Sequence, residues 1–241
     1  MFKRSPSLTE QTRQYIRERI LRNEYRDGRI PSETELAAAL KVSRTTVRDA
    51  LSKLENEGAI IRKQGVGTFV NPSGLQVKAR LEEIWSYEEV LRAHGYTPDV
   101  KVLDISEQRA DAAIAKPLTL PDESDVLVIK KLFLGNTLPV IYTQDIIPAA
   151  FIQCHYDEED VRHPVYEFLE SCCGHILSYY LSDIVPVVAD AELAETLQID
   201  PGAAVLAFEE IGYNADGHPI LWAKSWFRDD LLRFRLIRRN A

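Results

Sequence analysis

Residues 31–51 read PSETELAAALKVSRTTVRDAL, and residues 58–70 read GAIIRKQGVGTFV. Ser32 followed three residues later by Glu35 is typical of a capping box, so the pattern predicts a helix that starts at Ser32. Lys41 and Val42 form the predicted turn, and Ser43 can cap a second helix. The two stretches therefore predict two short helices joined by a tight turn and followed by a hairpin.

The second predicted helix has two different faces. Four apolar residues recur at i, i+3, i+4 and i+7, which is the spacing of one buried helical face: Val47, Ala50, Leu51 and Leu54. The opposite face carries polar and basic residues: Arg44, Thr45, Arg48, Ser52 and Lys53. A helix that enters DNA by its N-terminus places its first turns against base edges and phosphates. This pattern is typical of a recognition helix.

The hairpin has the composition of a wing. Short apolar runs at 59–63 and 68–70 flank Gln64–Gly67, where the glycines allow special backbone angles. A small helical bundle with a solvated basic face is the alternative. The order and close spacing of the capped helices, the basic cluster and the glycine-tipped hairpin favour a winged helix-turn-helix.

The charge is divided unevenly along the 241 residues. The whole chain has a net charge of -8, but residues 1–70 carry 14 Lys and Arg against 9 Asp and Glu, a net charge of +5. The remaining residues carry 15 against 28, a net charge of -13. This asymmetry indicates a basic module for a polyanion and an acidic module with another role.

Cysteine usage and hydropathy restrict the compartment. Cys154, Cys172 and Cys173 are an odd number and lack CxxC or Cys/His spacing, so the sequence predicts neither a disulfide framework nor a zinc site. A reducing cytoplasm fits this pattern. Redox sensing by the adjacent pair is an alternative, but buried apolar roles are commoner for such cysteines. With no signal peptide and no apolar run of ~20 residues, secretion and membrane insertion are not expected.

The rest of the chain predicts an α+β protein of two domains. Ser7 and Glu10 open a helix that is expected to reach Asn23, with Ile16, Ile20 and Leu21 packed. The domains are predicted as residues 1–72 (winged helix-turn-helix), 73–78 (linker) and 79–241. In the last, strands are expected at 100–105, 126–134, 139–147, 176–188, 205–213 and 219–227, with helices after Ser86, at 165–173 and at 191–197. This predicts an antiparallel sheet with flanking helices.

On these residues the sequence resembles the GntR family of bacterial transcription regulators, in its HutC-like branch. The resemblance is strongest over residues 15–70, where the family signature includes Ile30–Glu33, Val42–Leu51 and Gly65–Val70. It implies a C-terminal UTRA domain, which has a chorismate-lyase-like fold, binds effectors and mediates dimerisation. It also implies DNA contacts from nine residues: Ser32, Ser43, Arg44, Thr45, Thr46, Arg48, Gln64, Gly65 and Gly67.

The resemblance also implies an effector pocket in the C-terminal domain. The corresponding positions here are Ser86, Lys131, Phe133, Thr143, Tyr166, Leu221, Phe227 and Arg228. Sugar-phosphate-responsive members carry arginines where Lys131 and Phe133 stand, carboxylates that align with Thr143 and Leu221, and a tyrosine that aligns with Phe227. We therefore expect an effector less polar than a sugar phosphate, with one anionic group near Ser86 and Lys131.

The overall expectation is a cytoplasmic repressor that binds operator DNA as a homodimer and responds to a small molecule. A lyase-like enzyme and a dimerisation module without ligand are the alternatives for the C-terminal domain. The five histidines lack recognisable partner spacing, so no catalytic residue, metal or cofactor is predicted: His94, His155, His163, His175 and His218. The aromatic residues Trp222, Trp226 and Phe227 and the pair Leu231–Leu232 are compatible with the core, the pocket or the dimer interface.

Overall fold

The computed structural model describes residues 6–237 and divides into two compact units. One unit comprises the described residues up to Arg80 together with residues 234–237, and the other runs from Leu81 to Arg233. We call them the N-terminal and the C-terminal unit. The domain limits 1–72, 73–78 and 79–241 stay predictions.

The N-terminal unit combines three helices with a small antiparallel sheet. Its elements are α1 (Leu8–Leu21), β1 (Arg29–Ile30), α2 (Glu33–Leu40), α3 (Arg44–Asn56), β2 (Ile60–Lys63) and β3 (Gly67–Val70). Ser7, Ser32 and Ser43 each accept a hydrogen bond from the backbone three residues on. The full capping box forms at Ser32 and Glu35, as the sequence predicted. Caps of this kind fix where each helix begins.

The apolar face of α3 lies in the core of this unit. Val47, Ala50, Leu51 and Leu54 are all buried, which confirms the predicted face.

Two expectations for this unit are wrong. Leu21 is 64% exposed because α1 ends there instead of at Asn23. The segment at 29–30 was read as loop, but it adds a third strand that pairs with β3.

The segment after β3 also packs on this unit. The Asn71 side-chain amide donates to the Gly58 carbonyl at 2.8 Å, and Leu75 contacts the core cluster. A β-carbon at Gly74 would lie 1.8 Å from the Gly58 carbonyl oxygen, so only glycine permits this approach. Residues 71–75 are therefore held by specific contacts.

The C-terminal unit is built on a six-stranded antiparallel sheet, which confirms the α+β fold class. The strand order is β4-β5-β6-β9-β8-β7. The strands are β4 (Pro98–Arg109), β5 (Asp125–Gly135), β6 (Leu138–Pro148), β7 (Tyr179–Val188), β8 (Ala204–Tyr213) and β9 (Pro219–Arg228). The helices are α4 (Tyr87–Ala93), α5 (Ala112–Leu118), α6 (Glu158–Arg162), α7 (Val165–Ser171) and α8 (Ala191–Leu197).

Both faces of this sheet are covered by helices. On one face, Leu127 and Ile129 of β5 pack with residues of α6 and α7, such as Phe168. On the other, α5 packs over Val126 and Val128, and α8 packs over Leu132 and Leu134. Side chains that alternate along β5 therefore enter different cores, which explains its nearly continuous apolar sequence.

Two helices of the C-terminal unit were missed from sequence. The helix α5 contains Pro117, and α6 has only five residues, so neither gives a helical pattern of adequate length.

Three aromatic positions left open by sequence are now placed. Trp226 stacks on Tyr142 at 5.2 Å, Trp222 packs beside the α5 cluster, and Phe227 is fully buried.

The cysteine expectation is wrong, because Cys154 and Cys172 form a disulfide across a sequence separation of 18. The fold places their α-carbons 5.1 Å apart, although no short motif joins them. The Gln153 backbone N–H also donates to the Cys172 carbonyl at 2.9 Å. Cys173 is free and buried, and its burial raises the pKa of the thiol to about 11. The disulfide closes the segment that contains α6 and α7.

Reduction of this disulfide is expected to destabilise the C-terminal unit. A cross-link over a loop of this length contributes about 3 kcal/mol by restricting the unfolded chain. A reductant should therefore lower the urea midpoint of the full chain, and it should leave the midpoint of Cys154→Ser unchanged. Equal wild-type midpoints with and without reductant would show that the cross-link has no role in stability.

Candidate functional site

The exposed face of α3 presents three polar side chains near the helix start. Arg44, Thr45 and Arg48 are exposed, while Val47 between them is buried. Arg44 and Arg48 are four residues apart and so lie on one face. The N-terminal end of a helix is also the positive end of its dipole, which favours phosphate.

The serines and Thr46 mainly shape the local backbone. Ser43 Oγ accepts from the Thr46 backbone N–H at 3.0 Å and lies 2.8 Å from Thr46 Oγ1. Ser32 Oγ donates to Glu35 Oε2 at 2.7 Å. These hydroxyls therefore fix the starts of α2 and α3 next to the exposed arginines.

Arg48 is held by an acidic side chain of α2. Its guanidinium donates to Glu33 Oε2 at 3.2 Å, and 55% of the Arg48 side chain stays exposed. Arg62 of β2 donates to the Arg48 carbonyl at 3.1 Å and to Ser52 Oγ at 3.2 Å. An exposed ion pair contributes little to stability, so Arg48 can exchange Glu33 for a stronger anion at small cost.

The tip of the hairpin between β2 and β3 contains two glycines, Gly65 and Gly67, whose backbone has no side chain to cover it. Gly65 and Gly67 have φ angles of 72° and 136°, which side-chain-bearing residues rarely adopt. Gln64 is exposed, and Arg29 donates to the Val66 carbonyl at 3.3 Å. The predicted DNA-contact residues of α3 and the wing thus all lie in the N-terminal unit, with exposed cations beside them.

A cavity of about 230 Å³ lies in the C-terminal unit. Two cross-strand rows on one face of the sheet supply residues to it. The first row runs Lys131, Thr143, Ser225, Phe208 and Ile184, and the second runs Ile129, Asp145, Ala223, Glu210 and Ser182. Residues 81–88, α7 and β7 supply further walls, including Trp85, Tyr87, Tyr166 and Tyr180.

Lys131 is a buried cation with three acceptors. Its Nζ donates to the carbonyls of Val161 at 3.2 Å and His163 at 3.0 Å, and it lies 3.6 Å from Asp145 Oδ2. The side chain is only 2% exposed. An ammonium group has three N–H donors, so these neighbours can engage all of them. Lys131 therefore joins the sheet to the end of α6.

Two carboxyl groups, those of Asp145 and Glu210, line the cavity. Desolvation raises the pKa of Asp145, and the nearby Lys131 partly offsets this effect. Desolvation also raises the pKa of Glu210, whose carboxylate accepts from Ser182 Oγ, and the Asp145 charge raises it further. Both charges act with desolvation to raise the pKa of the Tyr87 and Tyr180 hydroxyls.

Ser86 and Tyr87 have defined partners at the cavity wall. Ser86 Oγ donates to Glu88 Oε2 at 2.8 Å and accepts from the Glu89 backbone N–H at 3.3 Å. Tyr87 Oη lies 2.6 Å from Ser225 Oγ. Thr143 Oγ1, by contrast, is buried without a hydrogen-bond partner.

Five of the eight predicted effector residues line this cavity: Ser86, Lys131, Phe133, Thr143 and Tyr166. The other three do not. Leu221 is in the core beside Phe168, and Phe227 packs beneath Tyr87 with ring centroids 5.7 Å apart. Arg228 pairs with Asp230 and donates to the Leu197 carbonyl at 3.2 Å.

Sequence reasoning missed the two carboxylates and the small residue between them. Asp145 and Ala223 stand two residues after the positions that were aligned, Thr143 and Leu221, so they lie on the same face of their strands. Glu210 is likewise a charged residue inside an apolar strand. The signal available in the sequence was a charged residue two positions along the strand from a predicted cavity residue, and therefore on the same strand face.

Among residues 6–237, no group of three or more His, Cys, Asp or Glu side chains has the arrangement of a metal site. Within the same residues, no helix is long and apolar enough to cross a bilayer.

Comparisons with known proteins cover both units. Residues 8–70 match the model described as bacterial regulatory proteins, gntR family, and residues 93–233 match the UTRA domain. The HTH-type transcriptional repressor NagR of Bacillus subtilis is 30% identical over 208 residues, which are 86% of this chain and 84% of that protein.

Two further proteins extend the comparison. The mannosyl-D-glycerate transport/metabolism system repressor MngR of Escherichia coli is 25% identical over 92% of each chain. The crystal structure of YydK from Bacillus subtilis, described as a possible transcriptional regulator, has a TM-score of 0.75 and 20% identity. The match covers 98% of this chain and 100% of that one. With these matches over both units, the chain belongs to the GntR family of transcription regulators that carry a UTRA effector-binding domain.

Proposed function

We propose that this regulator is a repressor that binds operator DNA as a homodimer and loses affinity for DNA when a small molecule occupies the cavity. The exposed pair Arg44 and Arg48 on the first turns of α3 is the observation that carries the DNA-binding part. The nine predicted contact residues remain its proposed interface. A repressor works where its DNA is, so we place it in the cytoplasm.

The division of labour at the DNA follows from side-chain chemistry. Arginine can donate two hydrogen bonds to the O6 and N7 of guanine, and the hydroxyl of Thr45 can bind a base or a phosphate. Glycine backbone at the wing tip can approach a groove closely, as proposed for Gly65 and Gly67. Ser32 and Ser43, which cap α2 and α3, and Thr46 in the first turn of α3 would bind phosphate at these helix starts.

The homodimer proposal rests on the two edges of the six-stranded sheet. Along β7, apolar side chains are exposed: Leu181 by 60%, Ile184 by 49% and Val188 by 70%. Asp183 is the one charged residue of this strand. At the other edge, β4 carries many charges and a register shift between Val102 and Asp104, features that prevent edge pairing.

A second copy of β7 fits this exposed edge best. Two identical strands can pair in antiparallel fashion around a two-fold axis, which gives a closed, self-complementary interface. Because Ser182 and Ile184 of β7 also line the cavity, a ligand there contacts the strand that we assign to the interface. This shared strand offers a route by which the effector alters the population of dimers that can span two half-sites.

The proposed effector is less polar than a sugar phosphate, but the reason differs from the one given by sequence. Leu221 and Phe227 lie in the core, so they do not set the polarity of the cavity. The carboxyl groups of Asp145 and Glu210 set this polarity, and they disfavour the binding of a phosphate dianion. The proposed effector has no anionic group near Ser86 and Lys131, because both side chains already have their donors engaged.

Arg48→Ala is expected to weaken operator binding by about 1–3 kcal/mol, because a bidentate contact to base or phosphate is lost. The measurement is a fluorescence-anisotropy titration with a duplex that the full chain selects from random DNA. Arg22→Ala is the matched control, since Arg22 is an exposed arginine of the same unit outside α3 and the wing. Equal affinity of Arg48→Ala and wild type would remove Arg48 from the interface.

Leu181→Lys is expected to convert the dimer into a monomer, because a charge would be buried in the apolar β7 pair. Light scattering coupled to size exclusion measures the mass of the full chain directly. Leu103→Lys serves as the control, since Leu103 is 47% exposed on the opposite edge strand. A dimeric Leu181→Lys variant, or a monomeric wild type, would contradict this interface.

A further inference from the structure

Two polar side chains of the cavity wall, Lys131 and Ser86, already have their hydrogen-bond donors engaged. The three N–H donors of Lys131 face the carbonyls of Val161 and His163 and the carboxylate of Asp145. The one hydroxyl donor of Ser86 is directed at Glu88. A phosphate or carboxylate ligand needs several donors at once. These two side chains, the ones a phosphate would use first, have none to spare.

The acceptors, by contrast, are in excess. A carboxylate has about four lone-pair positions, and Glu210 uses one of them for Ser182 Oγ. In the described part of the chain, no ammonium or guanidinium pairs with Glu210, whereas its neighbour Glu209 lies 3.5 Å from Lys224 Nζ. Glu210 is therefore a partly buried carboxylate that lacks a cation.

The strand register brings Glu210 and Asp145 towards one point. Both are paired with Ala223 of β9, from opposite sides. Neighbouring strands are ~4.8 Å apart, so the two backbones are separated by roughly 10 Å across the small methyl group of Ala223. This spacing leaves room for a group between the carboxylates that donates hydrogen bonds to both.

Thr143 supplies independent evidence for a ligand. Its side chain is 1% exposed, it lines the cavity, and its Oγ1 has no hydrogen-bond partner. Leaving a buried hydroxyl without a partner is costly, so the group is expected to meet a polar atom in the complete complex. Thr143 is two residues from Asp145 on the same face of β6.

The aromatic walls suit a cation as well. Trp85 lies 6.0 Å from Phe208 and 6.4 Å from Tyr87, measured between ring centroids. The faces of such rings attract ammonium groups. Burial raises the pKa of both Asp145 and Glu210, and a bound cation would oppose that shift.

We propose that the effector is a small organic cation whose protonated amine lies between Glu210 and Asp145, that a polar group of it meets Thr143 Oγ1, and that it carries no phosphate. This inference rests on the proposed function, because it names the chemical class of the molecule that the cavity binds.

The test compares four small probes that share a ring and differ in charge: benzylamine, benzyl alcohol, benzoate and phenyl phosphate. Each is added at the same millimolar concentration and ionic strength to the full chain at neutral pH, and thermal unfolding is measured. Benzylamine is expected to raise the unfolding temperature more than the neutral alcohol does, and the two anions are expected to leave it unchanged. Stabilisation by an anion, or none by benzylamine, overturns the proposal.

Matched variants locate the binding. Glu210→Gln keeps the size of the side chain and its bond from Ser182 but removes the charge, and it should weaken benzylamine binding roughly ten-fold or more. Glu209→Gln, one residue away on the other strand face, should leave binding unchanged. Thr143→Val should weaken only ligands with a second polar group. Equal binding by Glu210→Gln and wild type contradicts the assignment.

The outcome for DNA binding is read separately. The same preparations are titrated with the selected duplex by anisotropy, first without probes and then with each probe present. If the anions bind and release DNA, the charge class is wrong while the effector-controlled repressor stands. If the full chain binds no duplex, the proposed function itself fails, whatever the probes do.

Discussion

The buried ammonium of Lys131 is the interaction on which the C-terminal unit depends. It joins β5 to the carbonyls of Val161 and His163 at the end of α6 and approaches Asp145 on β6. Removing one partner would leave an uncompensated buried charge, which is strongly unfavourable. The same contact orients α6 and α7 over the sheet, and the Cys154–Cys172 disulfide closes the segment that carries them. On this side, the cavity wall is therefore tied to the sheet by the Lys131 contacts.

The opposite wall of the cavity has a different character. It is formed by β7, an edge strand with exposed apolar residues, and by residues 81–88, which directly follow the N-terminal unit. A ligand in the cavity thus contacts both the proposed dimer edge and the chain that leads to the DNA-binding unit. Under the proposed function, one binding event biases both the dimer edge and the chain leading to the N-terminal unit. In that proposal, the charge of the cavity selects the ligand.

Local signals in the sequence predicted local structure well. The serine caps of α1, α2 and α3 and the Asp190 cap of α8 act within three residues, so they are visible without the fold. Non-local features were missed for the same reason. The disulfide and the meeting of Asp145 with Glu210 depend on strand register, and β1 exists only because β3 is beside it. Asp145 and Ala223 lie two residues after Thr143 and Leu221 on the same strand face, so the pattern that singled out Thr143 and Leu221 did not point to the carboxylate pair.

Filling the cavity tests the central claim most directly. Ala223 lies between the two carboxylates and is 3% exposed, so Ala223→Phe would occupy the space above it. Operator affinity is measured for this variant and for wild type across a titration with a protein-free extract of small metabolites, after thermal unfolding shows that both are folded. The account predicts that the extract releases wild-type protein from DNA and that Ala223→Phe binds DNA but no longer responds. Equal release of both proteins would show that this cavity does not control DNA binding.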